Sequence, residues 1–552
     1  MKRLFTPTQA TIAGLISLLF LLNTSLAYQL SGKVYDKVSR QSLSNVTVII
    51  RTTTVFDSVT TDLSGNWQYE VTSDIETDGT LPQEFSVAQN YPNPFNPSTT
   101  IEFSLPRADN VTITITNLRG QIVASHSVFL SAGQYGIDYT GCGSAGVYFY
   151  TFTTSTERLT RRMIQLDGSS GGGLGMIRSA AEKRSTVIAK SNDVIVNLIF
   201  KKFGYASDTL QSVVTQDTYF ETFLETLHSY AIVADLHNDI LEVMLGEPNY
   251  HLNTLHLTHH TDIPRLQSGG VDLQVFATWA DPDKYAGHYF EKAQEMISRM
   301  HSEFALSPQQ IGQARNYSEA QTLWSQQKIA VVLGVEGGHH IENSLEKLYQ
   351  LYDAGMRILT ITWNNSTDWA VSARDEYNGK KGGLNDFGHQ VIRTLDSLGI
   401  IIDVSHVGAQ TINDILAVTT NPIIASHSGC RALYNHYRNL TDDQIRAIAR
   451  TGGVIGVIFY PNFLKSNGKA TISDVIAHID HIVNLVGIDY VALGSDFDGI
   501  ETTVTGLENT SKFPTLTTEL LLHGYSNEAV LKILGGNFLR VFQQVCKPKP
   551  LP

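Results

Sequence analysis

From Tyr28 to about Thr72 apolar and polar residues alternate with a period of two, as in SGKVYD, NVTVIIRTT and GNWQYEV, with turn residues between the runs. That spacing sends successive side chains to opposite faces and predicts short β-strands with one buried face over 28–76. A second alternating block spans 85–167. It opens with YPNPFNPSTTIEFSLP, where prolines 92, 94 and 97 fix φ and remove donors, and runs through VTITITNLRGQIV to GVYFYTFTT. The run Gly168-Ser169-Ser170-Gly171-Gly172-Gly173 predicts a flexible linker over 168–189. Alternation returns in DVIVNLIFKKFGYASDTLQSVV and TYFETFLE, within 190–226. Two arrangements of these segments stand. Either 28–76 and 190–226 are halves of one sandwich with the 85–167 block inserted in a loop, or the chain carries three separate small β units.

From Tyr230 the pattern changes. Eight short apolar runs, YAIVADLH, VDLQVFATW, IAVVLGVEG, MRILTITW, GIIIDVSH, PIIASHS, GGVIGVIFY and YVALGSDFD, alternate with helical patterns such as YFEKAQEMISRMHSEF and TISDVIAHIDHIVNLVG. Continuous β-branched runs mark parallel strands buried on both faces, and eight of them separated by helices predict a (β/α)8 or TIM barrel over 230–545. The fold class is therefore multidomain: an α/β barrel preceded by all-β sandwich modules.

The barrel gives its polar residues a meaning. C-terminal strand ends converge on one mouth, so residues placed there by different strands become neighbours. Strand one delivers His237 and Asp239, whose two-residue spacing aims both side chains to one side. The third strand ends in Glu336, the fifth in His406, the sixth in His427 and the eighth in Asp496. Three imidazoles and three carboxylates suit Zn2+ or a similar divalent ion and exceed one tetrahedral shell. Two metals sharing a carboxylate such as Glu336 are the economical reading. His259, His260, His339, His340, His436, His478 and His481 lack that placement and are expected in solvated loops or on helix faces, with His478 and His481 at the surface.

Composition narrows the function classes. Of 552 residues 42% are apolar and 17% charged, with a net charge of −13, a balance that disfavours nucleic acid as a partner, because binding phosphates needs clustered Lys and Arg. Met1-Lys2-Arg3, the apolar stretch 12–22 and Ser25-Leu26-Ala27 predict a signal peptide over 1–27, with no retained transmembrane span and a mature start near Tyr28. Cys142, Cys430 and Cys546 are too few and too far apart for a disulfide framework.

Three segments resemble known families. Gly32-Lys33-Val34-Tyr35-Asp36, Val46-Thr47-Val48 and Thr61-Asp62-Leu63-Ser64-Gly65 resemble a carboxypeptidase regulatory-like sandwich. The proline-rich opening and strands of 85–167 resemble a type IX secretion sorting domain or the FlgD-like immunoglobulin fold; such modules normally end the chain, whereas most of this protein follows. DLHNDI, GVEGGHHIENSLEKLYQLYDAGMRILTITW, LGIIIDVSHV, SHSG, RNLTDDQI and GSDFDGI resemble the membrane (renal) dipeptidase family of zinc hydrolases over nearly all of 230–545.

That last resemblance implies two Zn2+ per barrel, one on His237 and Asp239, the other on His406 and His427, bridged by Glu336. It implies that Asp496 faces the activated water and the substrate's amino end, making Glu336 and Asp496 the catalytic pair, and that Arg438 binds the substrate carboxylate. One position departs: where many members have Leu-Thr-His, this chain has Ile361-Thr362-Trp363. Trp363 would line the substrate site with a single N–H donor, Asn364 or Asn365 could take the missing role, or the preferred substrate differs. The expectation is an exported metallo-dipeptidase, periplasmic, surface-bound or extracellular. Alternatives are a binuclear amidohydrolase of another small amide, lactam or ester, and a non-catalytic surface protein with a relic barrel. Expected partners are a dipeptide or small amide, secretion machinery or a surface attachment through the β modules, and a second copy in a homodimer.

Overall fold

The computed structural model describes residues 26–52, 55–73, 84–95, 98–117, 120–141, 145–165, 173–179, 194–466 and 468–547. Nearly all of the expected signal peptide, Cys142 and the glycine run 168–172 lie outside the described residues.

Eight parallel strands close a barrel over the C-terminal region: β1 (Val233–Asp235), β2 (Val271–Thr278), β3 (Ile329–Glu336), β4 (Met356–Thr360), β5 (Ile401–Asp403), β6 (Ile424–Ser428), β7 (Val454–Ile458) and β8 (Val491–Gly494). Closure is made by β8 against β1, where Leu493 pairs with Asp235, and by β2 against β3, from Leu273–Ala330 to Thr278–Val335. A short extra strand, Ile311–Gln313, lies beside the start of β3. Every residue of β3 is buried, as a strand covered on both faces requires. Alternate residues separate into two cores. Leu273, Val275, Ala330, Val332, Ile358, Ile401, Ile424 and Val454 form an inner cluster joined by Phe538, Val541 and Phe542 of the last helix. Phe276, Val331, Leu333, Leu359, Ile402 and Val457 meet the surrounding helices. Each Leu, Val, Ile or Phe among them contributes about 1.5–3 kcal/mol by leaving water.

The helices follow their sequence signals. In Asp386–Leu398, Val391, Ile392 and Leu395 fall on one face and are buried, the Asn385 side chain accepts from the Gly388 N–H, and Gly399 ends the helix at φ +71°.

The N-terminal strands build two sandwiches. In the first, strand Leu26–Asp36 lies between Asn66–Ser73 and Thr218–Leu224, and Val194–Lys201 lies between Thr47–Arg51 and Asp208–Val214. Strands from both sides of the 85–167 block thus share one core, which includes Leu30, Val48, Trp67, Leu198, Phe200 and Phe220. The second sandwich is centred on Phe95, Ile101, Ile113, Ile137, Tyr150 and Phe152. Its strand Gly173–Ser179 pairs with Gly133–Thr140, which corrects the expectation of a linker throughout 168–189. The glycines hide an apolar pair there, since Leu174 and Ile177 pack on this core. The first sandwich touches the barrel through Asn527, which accepts from the Gly204 N–H at 3.2 Å and donates to the Tyr205 carbonyl at 2.7 Å.

Candidate metal centre

Six side chains delivered by the C-terminal ends of β1, β3, β5, β6 and β8 meet in the barrel mouth, all of them buried. Two are held by unusual backbone. His406 and Asp496 have φ of +67° and +64°, left-handed conformations that non-glycine residues rarely adopt and that cost about 1–3 kcal/mol each. Those turns, just beyond β5 and β8, swing the side chains back over the mouth.

Glu336 stands at the centre. Its Oε1 lies 3.0 Å from His406 Nε2 and 3.5 Å from His427 Nε2, while Oε2 lies 3.6 Å from His237 Nε2. His237 Nε2 is also 3.3 Å from Asp239 and 3.8 Å from Asp496. The Nε2 atoms of His406 and His427 face each other at 3.1 Å.

Proton accounting shows what this arrangement fits. His406 Nδ1 faces the Asn364 Oδ1 acceptor at 3.1 Å, so it carries the ring hydrogen and leaves a lone pair on Nε2. His427 Nδ1 faces Ser426 Oγ at 2.8 Å, and that hydroxyl gives its own proton to Asp403 at 2.6 Å, so His427 also presents a lone pair at Nε2. Three acceptors, two imidazole nitrogens and Glu336 Oε1, therefore converge with no proton among them. His237 Nε2 and Asp239 Oδ1 are likewise buried without a hydrogen bond. Such a donor set suits divalent cations of the zinc type.

Electrostatics agree. Burial, then the charge of Arg438, pushes His406 down to about 4. Burial, then the charges of His237 and Arg438, holds His427 well below its ordinary range, so both rings are neutral. Burial alone would raise Glu336, but His237 and His406 outweigh it and keep the carboxylate ionised. Burial pulls His237 down, yet Asp239 and Glu336 overcome it and hold the ring well above its usual value. Burial pushes Asp496 up, and Asp239 and Glu336 add to that against His237, so its carboxyl keeps a proton well above the usual range.

Arg438 is 3% exposed; it donates to the His427 carbonyl at 3.3 Å, lies over the Phe463 ring, and its Nε–H has no partner. The RNLTDDQI motif thus divides in two. Arg438 lies against the His427 carbonyl at the mouth, and Thr441 with Gln444 forms a capping box that starts helix Asp442–Arg450. Trp363 is half-buried, 4.8 Å from the Trp279 ring and 6.1 Å from the His406 ring. Asn364 supports His406, and the side-chain oxygen of Asn365 is buried without a partner.

Three histidines expected in solvated positions are buried instead. His340 donates from Nδ1 to the Gly337 carbonyl and accepts the Ala280 N–H at Nε2, tying the loops after β2 and β3 together. His339 packs beside it, with Nε2 3.2 Å from the Ala280 carbonyl. His478 accepts the Cys430 N–H and faces the Leu464 carbonyl, so it is a core residue rather than a surface one. Burial is tolerated because loop backbone partners these rings, and it pushes His339 and His478 down to about 4. His481, by contrast, is part-exposed and pairs with Asp442 at 2.7 Å. His259 and His260 bond Glu247 and the Asp498 N–H, and His436 is half-buried against the Phe463 ring.

A family model described as membrane dipeptidase (peptidase family M19) matches residues 221–549, and one described as a secretion system C-terminal sorting domain matches 89–165. Human dipeptidase 3 is 33% identical over 328 residues, covering 58% of this chain and 66% of its own length. This chain thus spans just under two thirds of that curated relative. The fold is similar to a Rhodobacter sphaeroides metallo peptidase liganded with a phosphinate mimic of the dipeptide L-Ala-D-Ala, with TM-score 0.53, 24% identity and coverage of 57% of this chain and 99% of that one. It is also similar to the probable dipeptidase PvdM from Pseudomonas aeruginosa, with TM-score 0.54, 24% identity and coverage of 58% and 96%.

Proposed function

The chain belongs to the membrane dipeptidase family, peptidase family M19, and on that premise we propose that it is an exported, metal-dependent dipeptidase working through a binuclear zinc site. The observation that carries this reading is the convergence of His406 Nε2, His427 Nε2 and Glu336 Oε1, three lone pairs that only a cation reconciles. His237 and Asp239 would hold one ion and His406 and His427 the other, with one oxygen of Glu336 turned to each. When bound, such a pair supplies Lewis acidity for the scissile carbonyl and acidifies a water at neutral pH.

The remaining work falls to side chains. Arg438 is desolvated, its Nε–H is unspent, and its planar fork suits the free carboxylate of a short substrate. Asp496 stands beside His237 in the buried mouth, where burial and the neighbouring Asp239 and Glu336 raise its affinity for a proton; as the carboxylate it is placed to take the water's proton and, once protonated, to return it to the leaving amine. Fixing both ends of the substrate explains a preference for dipeptides, because a longer chain could not present its amine to Asp496 and its carboxylate to Arg438 together. Trp363 and Trp279 give the mouth an aromatic wall where a second cationic donor is missing. Export is supported by the sorting-domain match, and among the described residues no helix is long and apolar enough to cross a membrane.

A substrate panel tests the reading: free dipeptides, their N-acetyl and C-terminal amide forms, and a small lactam, offered to metal-depleted and zinc-reloaded protein. Zinc-dependent cleavage confined to free dipeptides is the expected result. Equal turnover of the blocked forms, or of the lactam alone, would contradict it.

A further inference from the structure

We propose that Asp403 and Ser426 are positioning residues which fix the tautomer and the aim of His427; the proposal rests on the metal-centre reading above. Asp403 is fully buried at the end of β5 and accepts four hydrogen bonds: from the backbone N–H of Ser405 at 3.0 Å and of Ser426 at 2.8 Å on Oδ1, and from the hydroxyls of Thr360 and Ser426, both at 2.6 Å, on Oδ2. A carboxylate has about four lone-pair sites, so these four donors fill its acceptor capacity.

The consequence runs outward along one line. Ser426 spends its only proton on Asp403, so its oxygen can only accept from His427 Nδ1, 2.8 Å away. Ser405 Oγ closes the arrangement by accepting the His427 N–H at 3.0 Å and lying 3.3 Å from Ser426 Oγ. Consecutive residues of a regular strand point to opposite faces, which would part Ser426 from His427. Here the β6–β7 register slips between Ala425 and Ser428, so that Ser426 and His427 on β6 together face Gly456 alone on β7. That bulge brings the hydroxyl and the ring to the same side. A negative charge behind the ring, passed through one hydroxyl, orients the imidazole and makes Nε2 a better donor to a cation.

The other half of the mouth is built differently. Asp235 accepts from the Ser495 N–H and hydroxyl and from Gln274, and Ser495 Oγ lies 3.2 Å from the His237 carbonyl, so this aspartate staples backbone rather than a ring nitrogen.

Zinc titration of the full-length protein against a chelator of known affinity, with metal-free Tm recorded in parallel, tests the proposal. In Ser426→Ala the affinity for the second ion should fall about 10- to 100-fold while the first ion is held as in the wild type, and Ser426→Thr, which keeps the hydroxyl, should restore it. Should Ser426→Ala fail to fold, the near-isosteric Asp403→Asn should give the same selective loss. Wild-type affinity for both ions in either variant overturns the proposal alone. So does an equal loss in the Ala and Thr variants accompanied by a fall in metal-free Tm, which would mark a packing role. A wild-type protein that binds no ion overturns the proposal together with the metal-centre reading.

Discussion

The two poles of the mouth use the same residue types to opposite ends. At the β1/β8 pole His237 is surrounded by Asp239, Asp496 and one oxygen of Glu336, and this surplus of acid raises the proton affinity of both His237 and Asp496. At the β5/β6 pole two imidazoles stand beside the other oxygen of Glu336 and the charge of Arg438, and both are driven neutral. The two poles thus differ in charge, although both offer ligand atoms to a cation. On the proposed function, proton transfer falls to the first and carboxylate binding to the second, two tasks that a single charged cluster would combine poorly.

The sharpest way to break this comparison is Glu336→Gln, which removes the group common to both poles. We expect kcat/KM for a dipeptide to fall by at least about 1,000-fold, roughly 4 kcal/mol, with both ions lost on elemental analysis. Retention of either ion would show that the poles are independent. Asp496→Asn should lower kcat by about 10²- to 10⁴-fold with little change in KM or in metal content, because it removes a proton carrier rather than a ligand. Loss of an ion in that variant would move Asp496 from proton transfer into coordination. Arg438→Lys keeps the charge but not the fork; KM for free dipeptides should rise about 10- to 100-fold, the value of roughly 1.5–3 kcal/mol for a charged hydrogen bond. Any turnover of a C-terminal amide should stay unchanged.

The smallest effect lies outside both poles. Asp272 in β2 accepts the Val233 N–H at 2.8 Å, and burial pushes its carboxyl up to about 6. A folded-state value above the ordinary one means that Asp272 favours the fold below about pH 4, and that this contribution disappears as pH rises through 6. Asp272→Asn should flatten the fall in stability between pH 4 and 6 by an amount of the order of 2 kcal/mol, read from urea unfolding at several pH values, while leaving zinc content alone.

How much of this was legible in the sequence depends on the range of the signal. The barrel strands are continuous apolar runs, and their ends carry His237, Asp239, Glu336, His406, His427 and Asp496, so a local pattern and one rule of barrel geometry sufficed to bring them together. The pairing of Leu26–Asp36 with Thr218–Leu224 had no such marker, because register between strands nearly two hundred residues apart is set by a shared core and not by local alternation. Strand Gly173–Ser179 was masked by a glycine run read for its composition. Ser426 and Asp403 escaped notice for another reason, and Asn364 was singled out for the substrate rather than for the His406 ring. Small polar residues near a strand end look like turn formers until the bulge in β6 and the accounting of protons assign them to rings. His340 and His478 were misplaced because a histidine's burial is decided by backbone partners that only the folded loops provide.

Elemental analysis of the purified full-length protein, dialysed against metal-free buffer and assayed in parallel for dipeptide hydrolysis, bears most directly on the proposed binuclear centre. About two equivalents of zinc or a comparable divalent ion per chain are expected, with activity lost to a strong chelator and regained as both equivalents return. Full activity in protein carrying less than about a tenth of an equivalent of any transition metal would contradict it.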